Sequence, residues 1–218
     1  MFLLQQQQEV DERMLLLQQQ HEVDERRHGF IYKRWMGTMG NCSSGSGSVR
    51  ELSSKEKTDI RESWAEFNQG NVVDNAAHLY YKLFKEHPEA KEMFKFSKDT
   101  DISDEEMLKN KQFRGHVDGV VAVIGSAVNE IDDLTEVGKD LQHLGGKHYH
   151  YGITMKQYSH VGQCLLYAIQ KKLGPNFTSD RKKAWVALYA VVETAMKSGM
   201  EEASKKKSQE QSQEQSAA

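Results

Sequence analysis

The chain has only two cysteines, Cys42 and Cys164, far apart and in no CxxC arrangement. That excludes a disulfide scaffold and a structural zinc knot, and makes a reducing, intracellular and cytoplasmic setting the expectation. Proline is equally scarce, at Pro88 and Pro175 alone, so little interrupts helix formation. No apolar run approaches the ~20 residues that span a bilayer, and the MFLLQQQQEV terminus has no basic region ahead of a sustained apolar one. Neither a transmembrane helix nor a secretory signal is expected. Positive charge is not in excess either: 29 Lys+Arg against 32 Asp+Glu leave a net charge of −3, with pI near 6.3. No global field is there to recruit nucleic acid or an acidic membrane. Phosphate-binding loops, GxSxG elbows and HExxH zinc motifs are also missing.

What is present fits one domain with extensions, since 218 residues at 38% apolar content and mean hydropathy of −0.73 describe an ordinary core diluted by polar tails. LLQQQQEVDER, starting at Leu3, recurs almost unchanged as LLQQQHEVDER, starting at Leu16. Neither copy has enough apolar surface to offset ordering it, so residues 1–38 read as a duplicated, low-complexity, disordered or marginally helical extension. Residues 39–51 contain the Gly45-Ser46-Gly47-Ser48 linker, and residues 204–218 read as a polar disordered tail.

Between them, residues 52–203 repeat apolar positions at spacings of three and four, the signature of an all-α domain of seven to eight helices. Ser53-x-x-Glu56 and Ser103-x-x-Glu106 read as capping boxes, Pro88 as the start of a short helix, Gly174-Pro175 as a break, and Thr178 or Ser179 as the last helix cap. Stripes run through Ile60, Trp64 and Phe67, then Leu79, Leu83 and Phe84, and later Trp185, Leu188, Tyr189, Val192 and Met196.

Most of the nine histidines have a plain reading. His148 and His150 sit two apart on a helix and point in different directions, a poor chelate. His160 and Cys164, four apart, could mimic a thiol–base pair, but the better reading is a half-buried thiol. His116 differs. It lies on the apolar stripe of Phe113, Val117, Val120 and Ile124, where an imidazole costs free energy unless its nitrogens find partners. His148 ends another amphipathic helix, and a Phe-rich corner lies between. Two neutral imidazoles across an apolar slot suit a haem iron, one as axial ligand and the other as second ligand or hydrogen-bond donor.

At this point the residues carry a family resemblance. Trp64, LFKEHPEAKEMF from Leu83 to Phe94, His116 with Val120, LGGKH ending at His148, and YSHVGQCLLYAIQKKLGPNFTSDRKKAWVALYAVVETAM from Tyr158 to Met196 resemble the globins, most of all the neuroglobin and globin X branch. The resemblance implies a globin fold around haem b (iron protoporphyrin IX), with His148 as proximal ligand and His116 as distal histidine. It places Phe94 on the porphyrin face, Val120 beside bound gas, and Leu144, Ile153 and Tyr158 around the pocket. Tyr80 stands where many globins have leucine or phenylalanine; its hydroxyl reaches either the bound ligand or the propionate edge and backbone. Gly119 replaces the usual basic residue toward a propionate, leaving Lys147 and Lys95 as substitutes by position. Near Phe94 the chain has Lys98 and no cysteine, so a corner disulfide has no thiols there.

Met39-Gly40-Asn41-Cys42-Ser43-Ser44 fits an acylation motif: Gly40 for myristate if translation starts at Met39, and Cys42 for palmitate. Attachment to the cytoplasmic face of the plasma membrane is the corresponding expectation. The function the resemblance implies is reversible binding of dioxygen, nitric oxide and carbon monoxide by bis-histidine iron, in a redox-sensing or protective role. The alternative is a haem enzyme, a nitrite reductase or nitric oxide dioxygenase, with Tyr80 and His116 as distal donors and electrons from a separate partner.

Overall fold

The computed structural model describes residues 50–94 and 103–217. The duplicated segment, the Gly40/Cys42 motif and the corner residues Lys95, Phe96 and Lys98 lie outside the described residues. Every helix named below belongs to the compact unit Val49–Ala218.

Seven α-helices occur among the described residues, with no strand, as the threefold and fourfold spacing predicts. Helix α1 (Ser54–Phe67) starts at a full capping box, the Glu56 backbone N–H donating to Ser53 Oγ and the Ser53 N–H to Glu56 Oε2. Helix α2 (Val72–Glu86) begins at Asn71, whose side chain accepts from the Asp74 N–H, and ends at His87. Pro88 then opens a 3-10 segment, Pro88–Met93, where its missing N–H costs nothing. The second expected box, Ser103 with Glu106, caps the short α3 (Asp104–Lys109). Helix α4 (Lys111–Asn129) is capped by Asn110, and α5 (Thr135–His150) comes soon after it.

Helix α6 (Met155–Leu173) starts where the Thr154 N–H donates to Gln157 Oε1 at 2.7 Å. It stops at Gly174, whose φ of +55° suits glycine. After the 3-10 turn Gly174–Asn176, Thr178 accepts from the Arg181 N–H and thus caps α7 (Ser179–Ala217).

The boundary expected before residue 204 needs correction, because α7 continues through the segment read as a disordered tail, to Ala217. The tail has no apolar stripe, which prompts the tail reading, but it also has no proline or glycine after Gly199. Good helix formers simply propagate the existing helix. Ser208 and Ser212 hydroxyls donate back to the carbonyls of Ser204 and Ser208.

Helix α5 packs most extensively on α7, and α2 on α6. The first of these pairs depends on glycine. A Cβ at Gly145 would run into the Met196 carbonyl, and one at Gly199 into the Gln142 carbonyl, so the two backbones cross in direct contact. Gly162 admits the Tyr189 ring to α6 in the same way. At the other end of α7, Trp185 is buried against α1, its ring tilted against that of Trp64 and its Nε1 donating to Ser63 Oγ at 2.8 Å. Leu188, Val192 and Met196 are buried as the stripe predicts; Tyr189 is half-buried. Each such apolar side chain contributes roughly 1.5–3 kcal/mol when fully buried.

Candidate haem site

His116 lies on α4 and His148 on α5, near enough for His148 to act electrostatically on His116. On α4, Phe113, Val117, Ile124 and Ala127 are buried, while His116 and Val120, on the same stripe, are half-buried. Phe94, Leu144, His148 and Ile153 are half-buried too, and Phe94, Val120, Leu144 and Ile153 pack against the core. These half-buried side chains are apolar apart from the two histidines, and each keeps part of its surface open.

His116 is held by aromatic edges. Its ring meets Tyr80 at 5.3 Å and Phe94 at 5.0 Å between centroids, both T-shaped. Burial, and second the field of His148, lower the His116 pKa, so the neutral imidazole, with a free lone pair, is the favoured form. Tyr80 is 3% exposed, packed edge-on to Phe94 and Phe113 and tilted against Phe84. Burial raises its phenol pKa, keeping the hydroxyl protonated as a donor.

On α5, His148 Nδ1 lies 2.8 Å from the Leu144 carbonyl. A carbonyl only accepts, so Nδ1 carries the proton and Nε2 is the nitrogen with the lone pair. This is the backbone bond that orients a metal-ligating histidine. The Gly145 crossing, less than one helical turn away, fixes where α5 stands. The Tyr158 ring lies 6.0 Å from that of His148, and the Tyr189 hydroxyl holds the Tyr158 carbonyl at 2.6 Å. Tyr158 is 6% exposed, and its own hydroxyl is a buried polar atom without a partner among the described residues. Burial pushes its pKa up to about 12.

Lys147 is exposed, as is Gly119, where an added Cβ would meet nothing. His143 and His150 are exposed, and no group of three or more His, Cys, Asp or Glu among the described residues is arranged to hold a metal ion. His160 stacks flat on His87, at 3.7 Å and 6°, while burial pushes the Cys164 thiol up to about 12. That thiol is no nucleophile. No helix among the described residues is long and apolar enough to cross a membrane.

Two features of the site escape a reading of the sequence. The Gly145/Gly199 crossing has a partial signal in glycines placed mid-helix, but its pairing is long-range. The isolation of the Tyr158 hydroxyl has none, since any stripe residue looks alike until its neighbours are placed.

The globin family model matches residues 77–196. Neuroglobin of Danio rerio is 36% identical over 152 residues, covering 69% of this chain and 94% of that one. Neuroglobin of Chaenocephalus aceratus is 34% identical over 151 residues, with the same coverage. The crystal structure of a hexacoordinated heme protein from an anhydrobiotic tardigrade at pH 4 shares the fold, with TM-score 0.63 and 20% identity, over 69% of this chain and 96% of that one. Family model, neuroglobin relatives and shared fold agree: the chain belongs to the globin family.

Proposed function

We propose that the chain binds haem b between α4 and α5, with His148 and His116 as its two axial histidines, and binds dioxygen, nitric oxide and carbon monoxide in competition with His116. The observation that carries this reading is the pair itself: two imidazoles close enough for His148 to shift the His116 titration, one with its Nδ1 engaged and its Nε2 available. The surroundings fit the group. Phe94, Val120, Leu144 and Ile153 offer an apolar cradle to a flat macrocycle, and the lone Tyr158 hydroxyl offers a donor to a polar group brought in with it. Bound haem supplies one iron whose two axial positions take nitrogen or a diatomic gas.

The chain's own residues set the rest. His148 is held by the Leu144 carbonyl and changes little. His116, wedged between Tyr80 and Phe94, must swing away to admit a gas, so apparent affinity falls by the fraction of time the position is closed. Tyr80, protonated and adjacent, stands ready as a hydrogen-bond donor to what enters. A site in which both histidines hold the iron at rest would rearrange little on electron transfer, which suits redox sensing or protection better than bulk transport. The Tyr80–His116 adjacency also favours the second reading, reduction of nitrite to nitric oxide or oxidation of nitric oxide by dioxygen to nitrate, in which both side chains serve the bound oxyanion and a separate donor supplies electrons to the iron.

The test is the visible spectrum of the gas-free, dithionite-reduced protein beside His116→Leu. Two sharp bands in the wild type, collapsing to one broad band in the variant, are expected; identical spectra would reject His116 as a ligand.

A further inference from the structure

Residues 141–179 contain no aspartate or glutamate, although acids outnumber bases in the whole chain. The stretch does carry lysines at 147, 156, 171 and 172. The exposed large hydrophobic residues also fall inside it: Tyr151 at 71%, Met155 at 38% and Tyr167 at 38%. Tyr151 and Met155 flank the turn between α5 and α6. Lys147, one helical turn before Tyr151, and Lys156, next to Met155, are both exposed, as is His150. Lys207 of α7 reaches over the Tyr149 ring at 6.0 Å. Acids near these cations among the described residues are Glu92, with Lys91 beside it, on the 3-10 segment whose Met93 sulfur accepts from Gln157, and Glu202 and Glu210, either side of Lys207 along α7; Lys156 has a contact of its own. The Tyr151 ring lies 6.2 Å from that of His148.

We propose that this corner is the docking face for an acidic, one-electron donor protein, which passes its electron at Tyr151, beside His148. The inference rests on the haem reading. The donor is oxidised by one electron and the haem site reduced by one, with no bond made or broken. Charge complementarity selects the occupant: lysines around an exposed aromatic centre attract an anionic face and raise its encounter rate. Two exposed hydrophobic residues are too few for the larger apolar patch of a stable dimer, but they suit a small, short-lived contact.

The experiment is stopped-flow reduction of the oxidised, haem-loaded full chain by reduced flavodoxin, an acidic flavin protein, across a range of ionic strength. Wild type, Lys147→Glu/Lys156→Glu and the distant control Lys85→Glu are compared, with dithionite as a small reductant. The expected result is a wild-type rate that falls steeply with salt, and a double variant slower by about tenfold at low salt with a flattened dependence. The control matches wild type, and dithionite reduces all three alike. Equal flavodoxin rates in the double variant, or a salt-independent wild type, would overturn the proposal. So would a double variant that loses haem or changes its spectrum, since Lys147 would then be holding the cofactor. If the double substitution abolishes binding to phosphatidylserine vesicles while leaving flavodoxin rates intact, the face belongs to a membrane and the proposal falls. Failure of the haem reading itself shows earlier and separately, as an absence of visible bands before any donor is added.

Discussion

Tyr158 shows how much a single atom can decide. Its ring belongs on the α6 stripe and packs there, but its hydroxyl is buried beside His148 with no partner among the described residues. Such an isolated hydroxyl costs about 1–3 kcal/mol. Tyr158→Phe is therefore expected to stabilise the haem-free chain by roughly 1 kcal/mol in urea unfolding, while haem transfer to a competing apoprotein becomes faster than in wild type. A variant less stable without haem would mean that the hydroxyl is already satisfied. His116 is legible in the sequence because a histidine on an apolar stripe is chemically out of place. The Tyr158 isolation is not, because tyrosine is at home there and satisfaction depends on helices distant in sequence.

Among the elements, the α5–α7 pair sets the position of His148. The backbones touch at Gly145 and Gly199, where a methyl group would strike carbonyl oxygens of the opposite helix. Gly199→Ala is expected to push the helices apart, destabilising the fold by about 1–3 kcal/mol and displacing His148, so that thermal midpoint and visible band shape change together. An unchanged melt would show that the crossing is loose. Helix identities and starts are readable from local grammar: Ser53/Glu56 and Ser103/Glu106 need only neighbours in sequence. The Thr154/Gln157 start of α6 obeys the same grammar with glutamine and is easier to pass over. The end of α7 is misread because its tail offers neither an apolar face nor a stop, and helix propagation wins by default. The glycine crossing, between residues far apart in the chain, cannot be read from either helix alone.

For the whole molecule, the acid response should be set partly at the start of α1. Arg50 clasps Glu56 with two hydrogen bonds, which with the Ser53 cap holds the Glu56 carboxyl down at about 2 against its ordinary 4.5. A carboxylate with a depressed folded value contributes stability above pH 4.5, and the contribution is lost as pH falls from 4.5 toward 2. Glu56→Gln should therefore cost stability near neutral pH and much less at about pH 3, measured by urea unfolding at both. An equal cost at the two values would assign the effect to packing instead. The all-helical globin plan is legible because stripes, caps and breaks all point the same way. Lys147, expected by position to replace the missing basic residue toward a propionate, is exposed.

The glycine crossing also has a consequence in time. The ribosome makes His148 well before Gly199, and until α7 has emerged α5 lacks its most extensive packing partner. A nascent chain can thus form its first helices and even expose the His148 imidazole before the crossing that seats α5 exists. Firm cofactor capture belongs to the end of synthesis, and a shortage of haem would be felt by finished chains rather than by growing ones.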